Sequence, residues 1–376
     1  MRTGILLLFS FLCDIGMAVC MPRAVIVFRI LVFFVFFGCF FYKRGFNPGA
    51  NIFIYLFFIY TLALIPFSSN FERSLAMQAN IFIPMFMYIA VLGSGKRFLE
   101  GFSIYAFFIL PCFILNVIIA NIAKAGYIYR GSLAYGAIIE SYLYAPAFVV
   151  MLLPFITGYV KKRWQILGMV LTGSLSFILL VLSMRRMAVI IAGAGLILYF
   201  AWYRKINYRY VLLFLLAVLM LYPFYKDLLV EQVRARGWVF QKDYSIRNEL
   251  RYKETVSVWG EALSFKDSLI SLFGREIWNS RGNYAGGAFN ERTIHCDYNL
   301  VLHGAGFIGL ILYLGIFADI FMKFAGADLD RKMKAVFISL FVLSFVVSFV
   351  GRMNFVTFRF IIFAYLGGIL SQGFNK

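Results

Sequence analysis

The sequence predicts an all-α polytopic membrane protein with about twelve transmembrane helices and one large outward-facing loop between helices 9 and 10. Three observations carry this expectation. Hydrophobic residues make up 62% of the chain, charged residues only 14%, and the mean hydropathy is +0.85; soluble domains sit near 45–50% apolar and about 25% charged. The apolar residues fall into runs long enough to cross a hydrocarbon core, which takes roughly 20 residues at about 1.5 Å rise. Ten of the seventeen acidic residues fall between Asp227 and Asp297, so one stretch is polar and the rest is not.

In chain order, apolar runs cover about residues 4–21, 24–42, 51–67, 75–93, 102–120, 141–160, 165–183, 187–203 and 208–225, and then 298–320, 335–350 and 354–372. The chain therefore divides into helices 1–9 (residues 1–225), a loop domain (226–297) and helices 10–12 (298–376). The first run has no small-residue cleavage site before the next begins at Ala24, which marks a retained helix and not a removed signal peptide. The 45 Phe and 23 Tyr suit lipid-facing and interfacial positions and identify no site.

Lys and Arg in the short connections set the orientation. One side holds fourteen, in the groups at 43–44, 96–97, 161–163, 204–209 and 323–334; the other holds seven, Arg23, Arg73, Lys124, Arg130, Arg185, Arg186 and Arg352. The richer side belongs in the cytoplasm, which puts both termini there and the loop from residue 226 outside. The loop is long enough to escape this rule, so its own basic residues do not oppose it.

The formal charge of +19 is scattered in twos and threes at the ends of apolar runs. That is a topology signal, not a nucleic-acid groove, and no nucleic-acid partner is expected. Cys13, Cys20, Cys39 and Cys112 lie in apolar runs and Cys296 stands alone, a pattern that indicates neither a disulfide framework nor a metal cluster.

Arg185 and Arg186 are adjacent in LVLSMRRMAVI, at a turn too short for more than a few residues between two helices. Planar guanidiniums held at the outer membrane boundary suit phosphate oxygens. The other reading is a helix end with snorkelling side chains. In the loop, VSVWGEALSFKDSLISLFG has apolar residues at roughly helical spacing and reads as an amphipathic helix near the membrane. Arg247, Arg251 and Lys253 could draw in an anionic headgroup or form a solvated face. LFGREIWNSRGNYAGGAF is rich in Gly, Asn and Ser, fit for a segment that closes over a substrate or for a linker.

The run IHCDYNLVLHGAGFIGL carries both histidines. If its helix begins near Ile294, then His295, Asn299, His303 and Gly306 fall within about 80° of one another and form a polar stripe. Such a stripe faces the bundle interior or a water-filled cavity, or glues helices together. Gly306 and Gly309 admit a close backbone. His295 lies at the mouth, while His303, about 12 Å deeper at roughly 1.5 Å per residue, is expected to hydrogen-bond a neighbouring helix.

These residues resemble a known family. HCDYNLVLHGAGFIG is similar to the motif of the bacterial O-antigen ligases and the related Wzy-type polysaccharide polymerases: His, a small polar residue, nine residues, then Gly-x-x-Gly. His295, Gly306 and Gly309 match in spacing, and Cys296 departs from the usual polar neighbour. LSMRRMA resembles the family's Ser-Arg-small-Ala turn, with Arg186 and Ala188 in register, Arg185 where Ser is common and Met187 where a small residue is common. LFGREIW resembles the Gly-containing segment that precedes the histidine, and the order of these elements covers most of the chain.

The resemblance implies glycosyl transfer on the outer face of a bacterial inner membrane, from a polyprenyl diphosphate-linked oligosaccharide, with the loop periplasmic. It implies catalytic roles for His295 and Arg186, binding of diphosphate or glycan by Arg185, Arg247, Arg251 and Asn299, and a structural role for Gly306 and Gly309. Guanidiniums can stabilise a departing diphosphate. A neutral imidazole can take the proton of a sugar hydroxyl or orient it. No acidic pair is placed like a metal site on the outer side, so metal-independent transfer without a cofactor is expected. The partners are the lipid-linked substrate, the bilayer and a chain-length regulator protein.

Within the family, a polymerase of O-antigen, capsular or exopolysaccharide repeat units is favoured over an O-antigen ligase acting on a lipid core, because no extra basic patch for a phosphorylated core stands out. A flippase of the same lipid-linked sugar is the alternative of another class. It would need polar groups near the midplane, for which Asp14 and Arg29 are candidates, though pairing between helices also explains them.

Overall fold

The computed structural model describes residues 50–92, 95–126, 128, 133–136, 143–160, 162–183, 185–202, 208–235, 250–285, 289, 292–350 and 356–374. The first two apolar runs, with Asp14 and Arg29, lie outside the described residues, as do Arg247 and Arg352. Every run from residue 51 onward falls on a helix. In chain order these are α1 (Ile52–Leu64), α2 (Phe71–Leu92), α3 (Gly95–Ile122), α4 (Tyr144–Ile156), α5 (Arg163–Leu182), α6 (Arg186–Trp202) and α7 (Tyr208–Ala235), then α8 (Leu250–Ser264) and α9 (Ser268–Phe273) in the loop, then α10 (Asp297–Gly326), α11 (Arg331–Val350) and α12 (Val356–Phe374). No strand forms among the described residues; two isolated bridges, Gly126 with Gly136 and Ile128 with Ala134, tie the α3–α4 connection.

Six of these helices are long and apolar enough to cross a membrane, and three shorter apolar ones accompany them among the described residues. The chain is a membrane-embedded, multi-pass helical protein. Its connections leave two ends of a bundle. The end that holds the α1–α2 turn, α8 and α9 is called the loop side below.

Local sequence explains the helix ends. Asn51 caps α1, its side-chain oxygen accepting from Ile54 N at 3.3 Å, while its amide donates to Ile316 O of α10 at 3.1 Å. Asp267 caps α9 by accepting from Leu269 N and Ile270 N at 3.1 and 3.2 Å. Gly274, at φ +86°, ends it. Helix α7 continues past residue 225, where the apolar run stops, to Ala235. The charged turns after Tyr225 remain helical although they are too polar for a hydrocarbon core.

Aromatic side chains fill the interior. Phe57 of α1 packs against Phe82, Tyr313 and, edge-on, Trp278, with centroids 5.4, 5.7 and 6.2 Å away. Phe317 joins α10 to α11 and α12 through Phe345 and Phe363.

Helix α10 is not one straight rod. Gly306 sits at φ +64°, ψ −165°, outside helical geometry, and separates a first half (297–305) from a second (307–326). In a straight helix Tyr298 and Tyr313 would stand about 22 Å apart along the axis, yet their ring centroids are 5.9 Å apart. The first half therefore leans back across the bundle. The break follows from close backbone crossing: a Cβ on Gly306 would run into the backbone of Leu272 and Phe273, and one on Gly274 into that of Gly304 and Ala305. The carbonyls freed at the break are taken up by Arg275 N, which donates to His303 O at 2.7 Å, and by the Tyr60 hydroxyl, which donates to Ala305 O at 2.8 Å. Gly309 lies one turn on, beside Ala305 and the Tyr60 ring.

Candidate functional site

Helix α8 buries the stripe Glu254, Val258 and Ala262 against the first half of α10. An acidic residue on a stripe that is otherwise apolar calls for donors, because an unpaired buried carboxylate costs several kcal/mol. Glu254 finds them at the start of α10. Its Oε1 accepts from His295 N at 2.8 Å and Cys296 N at 3.4 Å, while its Oε2 lies 3.5 Å from Arg292 Nε and 3.7 Å from His295 Nδ1. Cys296, the N-cap residue, makes no side-chain cap of its own, so the carboxylate of α8 caps α10 from outside. Burial by itself would raise the Glu254 carboxyl, but the contacts from the His295 ring and backbone and from Cys296 N–H outweigh it and hold the group below the ordinary carboxylate range.

The helix start corrects the expected stripe. Helix α10 begins at Asp297 and not near Ile294, so His295 stands before the helix, off the face of Asn299 and His303. Its side chain is 21% exposed, with Nδ1 3.7 Å from Glu254 Oε2. Asn299 does lie on the helix. It accepts from Trp259 Nε1 at 3.0 Å and donates to Thr255 Oγ1 at 2.8 Å, which fastens α8 to α10 and occupies its polar atoms. Arg251 sits one turn before Thr255 on α8, its carbonyl accepting from the Thr255 hydroxyl at 2.9 Å. The structure thus brings His295, Arg251 and Asn299 together along one helix pair.

His303 belongs to a second network, and its partner is the loop and not a helix. Its Nε2 lies 2.9 Å from Asn283 Oδ1. Asn283 in turn donates to Glu276 Oε2 at 2.7 Å and to Asn279 O at 2.9 Å. Because the Asn283 amide is spent on those acceptors, its oxygen accepts a hydrogen bond from His303 Nε2–H. Glu276 also accepts from Ser69 N at 2.9 Å, from the Ser69 hydroxyl and from Asn279 Nδ2 at 2.6 Å, so the α1–α2 turn is lashed to the loop. Burial alone would raise the Glu276 carboxyl; the donors from Ser69, Asn279 and Asn283 bring it below its ordinary value. One layer deeper, Trp278 Nε1 donates to Gln78 Oε1 at 2.5 Å. The segment LFGREIW is therefore wedged between α2 and the broken helix. His303→Ala removes a buried partner of Asn283, a loss of about 1–3 kcal/mol. Thermal unfolding in detergent is expected to shift down and membrane levels to fall, while activity per molecule falls less.

Arg185 is buried in the α5–α6 turn, at 8% exposure, its N–H donating to Ser183 Oγ at 3.3 Å and its carbonyl accepting from Val189 N at 3.1 Å. Arg186 is the first residue of α6; its side chain lies outside the described residues. A third cluster carried no weight in the sequence. Arg359 of α12, 4% exposed, pairs with Asp297 in the first turn of α10 and reaches Ser348 Oγ of α11 at 3.4 Å. A lone arginine in the apolar run VTFRFIIFAY was the available signal, since an ionisable group at such a place needs a partner. Glu254 also had one, as an acid on an i, i+4, i+8 buried stripe. Among the described residues no group of three or more His, Cys, Asp or Glu is arranged to hold a metal ion.

No family model and no curated protein sequence matches this chain.

Proposed function

We propose that the protein is a bacterial inner-membrane glycosyltransferase that polymerises polyprenyl diphosphate-linked oligosaccharide repeat units. The observation that carries this reading is the pairing of His295 with the buried carboxylate of Glu254, at the mouth of a broken membrane helix and on the side where the polar loop lies. A carboxylate behind one imidazole nitrogen orients the ring and steadies the cation it becomes on taking a proton. In the proposed step an acceptor sugar hydroxyl gives its proton to the imidazole of His295 as its oxygen bonds the anomeric carbon of the donor. The bond from that carbon to the diphosphate breaks, and polyprenyl diphosphate leaves. Arg186, Arg185 and Arg251 are assigned to the charge that develops on the diphosphate.

The topology of this reading has twelve spans, both termini in the cytoplasm and the loop in the periplasm. A cysteine introduced at position 281, which is exposed, is expected to react with an impermeant maleimide on intact spheroplasts. Reaction only after the membrane is broken would reverse the orientation. Arg186→Lys is expected to lose most activity, at least about tenfold, because a point ammonium does not reproduce a two-pronged contact to phosphate oxygens. Arg185→Lys is expected to lose less. Near-parental polymer from both would reduce the pair to a helix end.

Purified protein with lipid-linked oligosaccharide tests the reaction itself. A ladder of new glycosidic bonds and release of polyprenyl diphosphate are expected. Translocation of the lipid without bond formation would make the protein a flippase instead.

A further inference from the structure

The corner between α8 and α9 exposes an apolar surface that the loop itself does not cover. Leu263, Phe265 and Leu269 are 59%, 50% and 67% exposed, and Leu272 and Phe273 add to the same stretch of ten or so residues. An aqueous loop of this size would normally turn such side chains inward, and a contiguous exposed apolar patch marks an interaction surface. Its height in the protein says what it meets. The ring of Phe265 stacks on that of Phe307, with centroids 5.8 Å apart and planes 9° from parallel. Phe307 opens the second half of α10. From there to Gly326 is about 30 Å at roughly 1.5 Å per residue, the full thickness of the hydrocarbon core, so Phe307 stands at its boundary on the loop side. Ile311, one turn further in and 64% exposed, continues the same face into the span. The end of α9 lies at this level too, since the backbone of Leu272 and Phe273 packs directly on Gly306, the residue before Phe307. Lys266, exposed between Phe265 and the cap residue Asp267, stands where an ammonium meets headgroup phosphates.

We propose that α9 and the corner before it are immersed in the loop-side leaflet as an interfacial anchor, with Leu263, Phe265, Leu269, Leu272 and Phe273 against acyl chains. The loop is then seated on lipid at one edge, beside the broken helix. This inference does not depend on the glycosyltransferase reading. It rests on exposed side chains whose height is set by α10.

The test uses the full-length protein, with its five native cysteines replaced by alanine and single cysteines placed at 269, 273, 311 or 253, each labelled with bimane and reconstituted in phosphatidylcholine vesicles. Replacing a fraction of the lipid with 6,7-dibrominated phosphatidylcholine reports acyl-chain contact. Quenching at 269 and 273 is expected within about twofold of that at 311, and at least threefold above that at 253, an exposed position on α8. Quenching at 269 and 273 no stronger than at 253 would overturn the proposal. Aqueous iodide then tells which alternative holds: strong iodide quenching means the patch faces water, and weak quenching by both agents means that a second copy or residues 1–49 cover it.

Discussion

His295→Ala is expected to abolish polymer formation, a fall of at least about a hundredfold if the ring takes a proton in the transition state, while the protein stays at parental levels in the membrane. The second half of this expectation comes from the geometry around Glu254. Its shortest contact with position 295 is to the backbone N–H at 2.8 Å, against 3.7 Å to the ring, and the contacts from that N–H, Cys296 N and Arg292 all remain in the variant. Removing the imidazole therefore leaves the buried carboxylate supplied with donors and α10 capped. A polymer gel run beside a membrane immunoblot separates chemistry from folding. Full-length polymer from His295→Ala at parental level would remove the histidine from the mechanism and with it the main support for an enzyme.

Asp297→Ala is expected to have the largest effect on stability. The change strips a buried guanidinium of its carboxylate, and breaking one side of a buried pair costs about 3–5 kcal/mol because the remaining charge keeps its desolvation penalty. Arg359 lies deep among α10, α11 and α12, where water does not replace what is lost. Replacing both partners, Asp297→Leu with Arg359→Met, is expected to recover most of that loss, since nothing charged is then left buried. Thermal unfolding in detergent reads both variants. If Asp297→Ala unfolds at the parental temperature, the pair contributes nothing to holding the three helices together.

The apolar runs were legible because lipid crossing imposes a length and a composition that no other demand imitates. Helix α7 shows where that legibility stops: hydropathy falls at Tyr225, but the backbone stays helical to Ala235, because hydropathy reports burial in hydrocarbon and not hydrogen bonding along the chain. A start of α10 near Ile294, which the polar stripe assumed although the apolar run itself begins at 298, fails for a different reason. The carboxylate that caps it comes from Glu254, 42 residues before Cys296, and local sequence holds no trace of a partner so distant. Gly306 could be read as a site of close approach, yet what approaches is the loop segment that ends at Gly274, and the result is a broken helix where a smooth face was expected. Of the candidate site, His295, Arg251 and Asn299 were singled out by residue type and spacing. Glu254, Glu276, Asn283 and Arg359 were not, since each acts through a partner far along the chain.

The pairing of Asp297 with Arg359 also sets an order of events during synthesis. The two residues are 62 positions apart. At about 5–20 residues per second, a ribosome makes Asp297 roughly 3–12 s before its arginine. Through that interval Asp297 has no cation from α12 to meet it. The leaning half of α10 cannot complete its contact with α12 until Arg359 is in place, so the two helices settle together and not in sequence.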